Sequence, residues 1–201
     1  MHKCFISYKK EDVAYKDYLV KNLGGDNFIN KSLDRTIDSD NGDYVMKVIR
    51  QDYLCDSTVT LFLIGTHSSE NEGYDWFGDR NYFIKKELAA SLFNGSGNTR
   101  NGVLGIVLPD MYGRIYGGES KCAICGNTHT LVNVNDTTTI REFACNYYTQ
   151  PHEGCSWNED ERYCVIVKWD DFVADPNKYI NKAFDKRYSP VASKVRTRNL
   201  R

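Results

Sequence analysis

Short apolar runs along the chain predict four β-strands. They lie at residues 3–8, 58–65, 102–108 and 163–169. In the second and third runs, TVTLFLIG and GVLGIVL, the hydrophobic residues do not alternate with charged ones. Such runs are typical of strands that are buried on both faces of a parallel sheet. The pattern therefore predicts a sheet that is covered by helices on both sides.

Amphipathic segments between these runs predict helices. Apolar residues recur at three- and four-residue steps in residues 11–23, 44–54 and 82–93, and Asp175–Pro176 has the residue types of a helix start. Alternating strands and helices predict an α/β domain with right-handed crossovers. Such sheets bind their ligands at the carboxyl ends of the strands. Those ends are expected at Ser7–Tyr8, Gly65–Thr66 and Pro109–Asp110.

Residues 109–162 interrupt the alternation. The stretch is rich in Gly, Asn and Thr, and it holds four of the seven cysteines. Because a structureless loop of this length is unusual in a compact domain, we interpret it as a Cys-rich insert before the last strand. Thr139 and Glu142 have the spacing of a capping box that starts one helix there. The sequence thus predicts one domain over residues 1–185 and a basic, solvated tail at 186–201.

Charge and composition exclude several classes of protein. The 26 basic and 27 acidic residues give a net charge of -1, which argues against a nucleic-acid binder that works by bulk charge. No apolar run is long enough to cross a bilayer, and residues 1–6 lack the apolar stretch of a signal peptide. We therefore expect a cytoplasmic protein without a membrane partner. An odd number of cysteines in a reducing compartment argues against a disulfide framework.

Three sequence features together resemble a Toll/interleukin-1 receptor (TIR) domain. They are the opening FISY, the strand ending LFLIG, and an aromatic residue, Phe83, four positions before Glu87. More closely, they resemble the TIR-like subunit of bacterial Thoeris anti-phage systems. The resemblance covers residues 3–108 and resumes at 163–184. It implies a flavodoxin-like fold, with a central parallel sheet, helices on both faces, and the Cys-rich stretch inserted before the last strand.

The resemblance also implies an activity, the cleavage of NAD+ between nicotinamide and ribose. Glu87 matches the family's catalytic glutamate, and Phe83 stands where TIR enzymes usually have Trp. NAD+ would be the substrate, with no catalytic cofactor. The product would be a signalling nucleotide that activates a separate effector, and TIR domains associate with one another. The family's remaining substrate contacts correspond to Ser7, Tyr8, Thr66 and Arg35, the last in the loop at residues 32–42.

The chemistry is consistent with these residue types, but other interpretations stay open. Departure of nicotinamide leaves an oxocarbenium-like ribose, which a nearby carboxylate stabilises. Without the resemblance, Glu87 would be a solvated helix residue and Phe83 a core residue. Two other functions compete: a non-catalytic TIR adaptor that acts by assembly, and an enzyme like a nucleoside deoxyribosyltransferase. No Gly-rich fingerprint follows the first strand, so a dehydrogenase is poorly supported.

Four residues of the insert have the spacing of zinc ligands. Cys122 and Cys125 form one close pair, and His152 and Cys155 form another. Two such pairs predict a structural zinc site, although Cys145 and His129 compete for the fourth position. The alternative is that the cysteines bind no metal and are merely buried.

Overall fold

A computed structural model describes residues 1–31, 44, 47–72, 74–75, 78–79, 81–95 and 98–197 of the chain. Its centre is a sheet of five parallel strands. In spatial order the strands are β2 (Phe28–Asn30), β1 (His2–Ser7), β3 (Val59–Ile64), β6 (Gly102–Val107) and β9 (Val165–Lys168). Counted along the chain this is the order 2-1-3-4-5, which is the flavodoxin-like order. The predicted α/β fold is confirmed.

Helices cover both faces of the sheet, as expected. On one face lie α1 (Val13–Asn22), α5 (Trp169–Ala174) and α6 (Pro176–Asp185). Their apolar residues Leu19, Phe172 and Ile180 pack on strand residues such as Leu61 and Leu104. On the other face lie α2 (Tyr82–Leu92) and α4 (Arg141–Tyr147). The segment predicted as a helix at 44–54 ends in a π-helix, Ile49–Leu54.

Strand β6 carries a glycine toward each face of the sheet. A Cβ at Gly102 would lie 2.0 Å from the Ala183 backbone oxygen of α6, and a Cβ at Gly105 would lie 2.5 Å from the Phe143 ring of α4. Both distances are far below van der Waals contact. The two glycines therefore allow a helix backbone on one face and an aromatic ring on the other to approach the same strand.

The Cys-rich stretch at 109–162 contains a helix of the core as well as a protruding hairpin. It begins with a 3₁₀ turn, Pro109–Met111, and helix α3 (Tyr112–Ile115). The antiparallel strands β7 (Tyr116–Lys121) and β8 (Thr128–Val132) form the hairpin. Helix α4 then connects β6 to β9 across the sheet, and its Phe143 and Tyr147 are buried with Phe62 and Leu88. The insert is therefore the hairpin and its flanks, while α4 belongs to the main fold.

The described part of the predicted tail is packed on the domain, in contrast to the expectation of a solvated segment. Residues 186–188 and 190–194 form 3₁₀ turns. Lys186 and Val191 are buried, and Lys186 Nζ donates to the Glu159 carbonyl oxygen at 2.6 Å. Arg196 N–H donates to Asn146 Oδ1 at 2.9 Å. Basic side chains of this segment donate to backbone carbonyl oxygens of the domain, as Lys186 does to Glu159 and Lys194 to Pro151, which is why a basic composition did not leave the segment in water.

The segment between β3 and α2 contains a short antiparallel pair, β4 (Tyr74–Asp75) and β5 (Gly78–Asp79). Within the described parts of the chain, no helix has the length and apolar character that a membrane crossing requires.

Candidate active site

Ser7, a predicted substrate contact, and Glu87, the predicted catalytic residue, are in direct contact. Ser7 is the last residue of β1, and its hydroxyl donates to Glu87 Oε2 at 2.6 Å. Ser7 is fully buried, and only 8% of Glu87 is exposed. The alternative of a solvated Glu87 is therefore wrong for the described structure. The carboxyl group lies beneath the surface at the carboxyl end of the central strands, the edge where such sheets bind ligands.

Burial controls the ionisation of Glu87. It raises the pKa of this carboxyl group to about 8, and the hydrogen bond from Ser7 opposes the rise. Desolvation disfavours the charged form, while a donated hydrogen bond favours it. A carboxyl group whose pKa lies near neutral pH responds strongly to a nearby positive charge. Groups of this kind, in this kind of place, are candidates for catalysis.

A chain of hydroxyl and amide groups holds α2 against the sheet one turn beyond Glu87. Ser91 Oγ donates to the Glu87 carbonyl oxygen at 2.8 Å, and Thr60 of β3 donates to Ser91 Oγ at 2.7 Å. Asn101 Nδ2 donates to Thr60 Oγ1 at 3.1 Å. All of these groups are buried. This network fixes the height and rotation of α2 and so determines where the Glu87 side chain points.

Asp12 is a second buried carboxylate at the same edge, and the sequence analysis did not single it out. It ends the 3₁₀ turn Lys10–Asp12 after β1, and 7% of it is exposed. Its oxygens lie so close to Gly65, at the end of β3, that a Cβ there would be 2.3 Å from Oδ2. Oδ2 has no hydrogen-bond partner among the described residues. Burial, with help from Glu11, raises the pKa of Asp12 to about 6.

The other predicted contacts lie at the surface of this edge. Tyr8 follows Ser7 and is half-buried, with Lys16 Nζ 5.9 Å from the centre of its ring. Thr66 follows β3 and is exposed. Phe83 lies one turn before Glu87 on α2, is 38% exposed, and packs edge-on against Tyr82. The core interpretation of Phe83 is therefore wrong, and its ring is accessible. Arg35 and the loop at 32–42 lie outside the described residues.

A separate surface cavity of about 480 Å³ lies between α1 and α5. Tyr15 and Tyr18 of α1 approach the Trp169 ring edge-on, at 4.8 and 5.5 Å between ring centres. Neither Ser7 nor Glu87 lines this cavity. It is therefore distinct from the site that the Ser7–Glu87 contact marks.

Among the described residues, one group of thiols and imidazole is suited to a metal ion. Its ligand atoms belong to Cys122, Cys125, Cys155 and His129 and lie within 4.8 Å of one another. His152, the histidine predicted for this set, is elsewhere: its ring stacks on Trp157 at 4.0 Å and Nδ1 is 3.3 Å from Glu161 Oε1. The predicted ligand set is corrected at this position, because the pairing of β7 with β8 brings His129 next to the cysteines.

Comparison with protein families identifies one match. The model of the TIR-like domain of the Thoeris protein ThsB matches residues 5–111, which run from the second half of β1 past the end of β6 and therefore include both Ser7 and Glu87. No curated protein matches the chain.

Proposed function

The chain belongs to the Thoeris ThsB TIR-like domain family, and from this premise we propose that it cleaves NAD+ between nicotinamide and ribose. Family membership itself gives the protein a TIR-type role in anti-phage defence. The observation that supports the proposed reaction is the buried contact between Ser7 and Glu87 at the ligand-binding edge of the sheet.

The proposed reaction needs a negative charge close to the ribose. The bond between the nicotinamide nitrogen and the anomeric carbon breaks, and the nitrogen keeps the electron pair. Nicotinamide is cationic in NAD+ and leaves as a neutral molecule, so no general acid has to protonate it. The positive charge moves to the anomeric carbon and ring oxygen. A carboxylate that is buried and already oriented stabilises this charge more strongly than one in water.

The raised pKa of Glu87 fits this role. Without ligand, burial holds a large share of the group protonated at neutral pH, since its pKa is about 8. The cationic nicotinamide ribose of NAD+ would favour loss of that proton, because an opposite charge within a few ångströms lowers the pKa of a carboxyl group. The charged form would then be present when the substrate is bound. The accessible ring of Phe83, one turn earlier, is available for stacking on the substrate.

The ribosyl cation is then attacked by water, which releases a proton and gives ADP-ribose, or by another nucleophile, which gives a cyclic or transferred product. In the proposal this product is a signalling nucleotide that activates a separate effector in the cytoplasm. NAD+ is the substrate, and the reaction draws on no further cofactor. Self-association of the TIR domains completes the proposal, with Tyr8, Thr66 and Arg35 as further substrate contacts.

Nicotinamide release tests this function. The full chain is incubated with NAD+ and the products are separated by chromatography. Glu87→Gln keeps the shape of the side chain and its hydrogen-bond acceptor for Ser7, but removes the charge. We expect nicotinamide release to fall on the order of 10²-fold or more, as for loss of other electrostatic groups of this kind. Glu119→Gln, which changes an exposed glutamate of β7, is the matched control and should keep full activity.

Equal activity in folded Glu87→Gln and wild-type protein would remove the catalytic role. A chain that assembles with other TIR proteins but releases no nicotinamide in the assembled state would be a non-catalytic adaptor.

A further inference from the structure

The tip of the β7–β8 hairpin and the segment before β9 bring three sulfurs and one nitrogen together. The thiol groups belong to Cys122, Cys125 and Cys155, and the nitrogen belongs to His129. His129 Nε2 is 3.1 Å from Cys125 Sγ and 3.2 Å from Cys155 Sγ. We propose that these four atoms bind one Zn²⁺ ion in a closed, structural site. The site is independent of the proposed NAD+ chemistry.

The distances suit tetrahedral zinc. With Zn–S of about 2.3 Å and Zn–N of about 2.0 Å, neighbouring ligand atoms of a tetrahedral site are about 3.5–3.8 Å apart. The four atoms here lie within 4.8 Å of one another, and the two N···S distances are slightly below the tetrahedral value. One ring nitrogen faces two sulfurs, and a single N–H cannot point along both directions. An ion at their common centre gives all three atoms a partner with only small movements.

The donor types select the metal. Three thiolates and one imidazole form the Cys₃His set of structural zinc sites, in which no position is left open for water or substrate. Soft sulfur ligands exclude Mg²⁺ and Ca²⁺, which take oxygen ligands. The proposed ion therefore holds the chain together and takes no part in cleaving a bond.

The turn at Cys122 is shaped to present its sulfur. The Ile124 N–H donates to Cys122 Sγ at 3.4 Å, and the Gly126 N–H donates to the Cys122 carbonyl oxygen at 3.0 Å. Gly126 has a φ of +73°, a left-handed conformation that glycine adopts without the steric cost of a side chain. The turn therefore holds the Cys122 sulfur in one orientation, within reach of the other three candidate ligand atoms.

The hairpin has little other means of support at this end. Its base is anchored, because Tyr116 and Val132 pack on the core and the Tyr148 hydroxyl donates to the Val132 carbonyl oxygen. Toward the tip, most residues of both strands are exposed. A two-stranded hairpin with no buried face is at best marginally stable in water. A zinc ion would tie this tip to Cys155, which lies on the far side of helix α4 in sequence, and so supply the missing stabilisation.

The metal content of the purified full chain tests the proposal, with no metal added during purification. Elemental analysis should find about one zinc per chain, because thiolate-rich structural sites bind zinc tightly at neutral pH. Cys122→Ser and His129→Ala should each lose most of it. Two matched controls should keep it: Cys145→Ser, a half-buried cysteine outside the cluster, and His152→Phe, which preserves the ring stacked on Trp157.

Hydrogen exchange distinguishes a local effect from general unfolding. In Cys122→Ser, exchange should accelerate in β7, β8 and the segment around Cys155, while β3 and β6 stay protected. If the ligand variants fail to fold, the wild-type chain still provides a test. Zinc should be released when a mercurial reagent blocks its thiols, and Co²⁺ that replaces it should show the intense visible bands of tetrahedral thiolate coordination.

Three results would overturn the proposal. They are a metal-free wild-type chain whose hairpin is nevertheless protected from exchange, a Cys122–Cys125 disulfide in the protein purified under reducing conditions, and loss of zinc in His152→Phe but not in His129→Ala.

Discussion

Ser7 and Glu87 are 80 positions apart in the sequence and share one buried hydrogen bond of 2.6 Å. The bond joins the last residue of β1 to the middle of helix α2. It also links a neutral hydroxyl to a carboxyl group, and burial has raised the pKa of that carboxyl group. Position and ionisation of the proposed catalytic group therefore depend on the same contact, and the first two predictions separate these effects.

Replacing Ser7 by Ala should shift the pH dependence of activity. The Ser7 hydrogen bond favours the charged form of Glu87 and keeps its pKa lower than burial alone would. Its loss should move the pKa of Glu87 above about 8. The rise of kcat/KM with pH, which reports the free enzyme's essential groups, should move in the same direction. Rates of nicotinamide release across a pH series provide the measurement.

Ser91→Ala is the control for that experiment. Ser91 also touches Glu87, but through the backbone carbonyl oxygen and not through the carboxyl group. Its removal should leave the midpoint of the pH profile in place even if the rate falls. A Ser7→Ala profile with an unchanged midpoint would show that Glu87 ionisation does not limit the reaction.

Protein stability should fall as pH rises through the range in which only the folded chain keeps the Glu87 proton. The ordinary pKa of a glutamate here is 4.5, and the folded value is about 8. Between these values the folded state binds more protons than the unfolded state, so the free energy of unfolding decreases with pH and then levels off. Each unit of difference between the two pKa values corresponds to about 1.4 kcal/mol, so the total decrease in the free energy of unfolding is on the order of a few kcal/mol.

Glu87→Gln removes this dependence. Denaturant unfolding of both proteins at several pH values should show the variant gaining on wild type over the pH range from about 4.5 to about 8, and a constant difference at higher pH. Asp12 has a raised pKa as well, but it is present in both proteins and cancels in the difference. A constant stability difference over this range would mean that Glu87 is solvated in the folded protein.

Phe83→Ala should weaken substrate binding with little loss of stability. The Phe83 side chain is 38% exposed, and exposed positions away from the core usually change stability by about 0.5 kcal/mol or less. Loss of ring stacking, worth about 0.5–1.5 kcal/mol, should raise KM for NAD+ by about two- to tenfold. Phe83→Trp, which keeps an aromatic ring, should keep KM for NAD+ close to the wild-type value. Thermal unfolding and KM, measured on the same preparations, test both parts, and an unchanged KM would exclude stacking.

Gly65→Ala should disturb the second buried carboxylate. The new Cβ would lie 2.3 and 2.4 Å from the two oxygens of Asp12, whose short side chain is buried. We expect a loss of about 1–3 kcal/mol in stability, as for other overpacked sites. Asp12→Ala combined with Gly65→Ala should recover much of it, which a double-mutant cycle measures. Gly113→Ala is the control, because a Cβ there would meet no atom within 4 Å apart from its chain neighbours and the backbone of its own helix.

The sheet and the Ser7–Glu87 edge could be predicted because their signals are local. Strands β3 and β6 are unbroken apolar runs, and Glu87 lies on a periodic helix with a matching family pattern. Asp12 could not be found this way. In sequence it stands among charged residues, Lys9 to Glu11, and its burial depends on the missing side chain of Gly65, which directly follows β3. Only the pairing of β1 with β3 creates that environment.

The same distinction explains the histidine of the cysteine cluster. His152 and Cys155 have a ligand-like spacing in sequence, whereas His129 stands alone. In the hairpin, Ser120 pairs with His129 and Lys121 with Thr128, so the register puts His129 beside the Cys122 turn. A one-dimensional spacing cannot reveal a neighbour across a hairpin.

The predicted capping box at Thr139 and Glu142 was wrong for a related reason. Helix α4 has Ile140 at its N-cap, without a side-chain cap, because its buried apolar face determines where it starts.

The two glycines of β6 affect how functional residues can be identified in this family by mutagenesis. Neither touches the proposed substrate edge, yet any larger residue at Gly102 or Gly105 would collide with α6 or α4. In a saturation-mutagenesis library selected for phage resistance, both positions should therefore be as depleted of variants as Glu87. Depletion alone would then mark all three positions as essential, although only Glu87 takes part in the proposed chemistry. Abundance of the folded protein has to be scored beside resistance, since among these three positions only a variant that keeps the shape of the side chain, Glu87→Gln, should accumulate normally and still fail to protect.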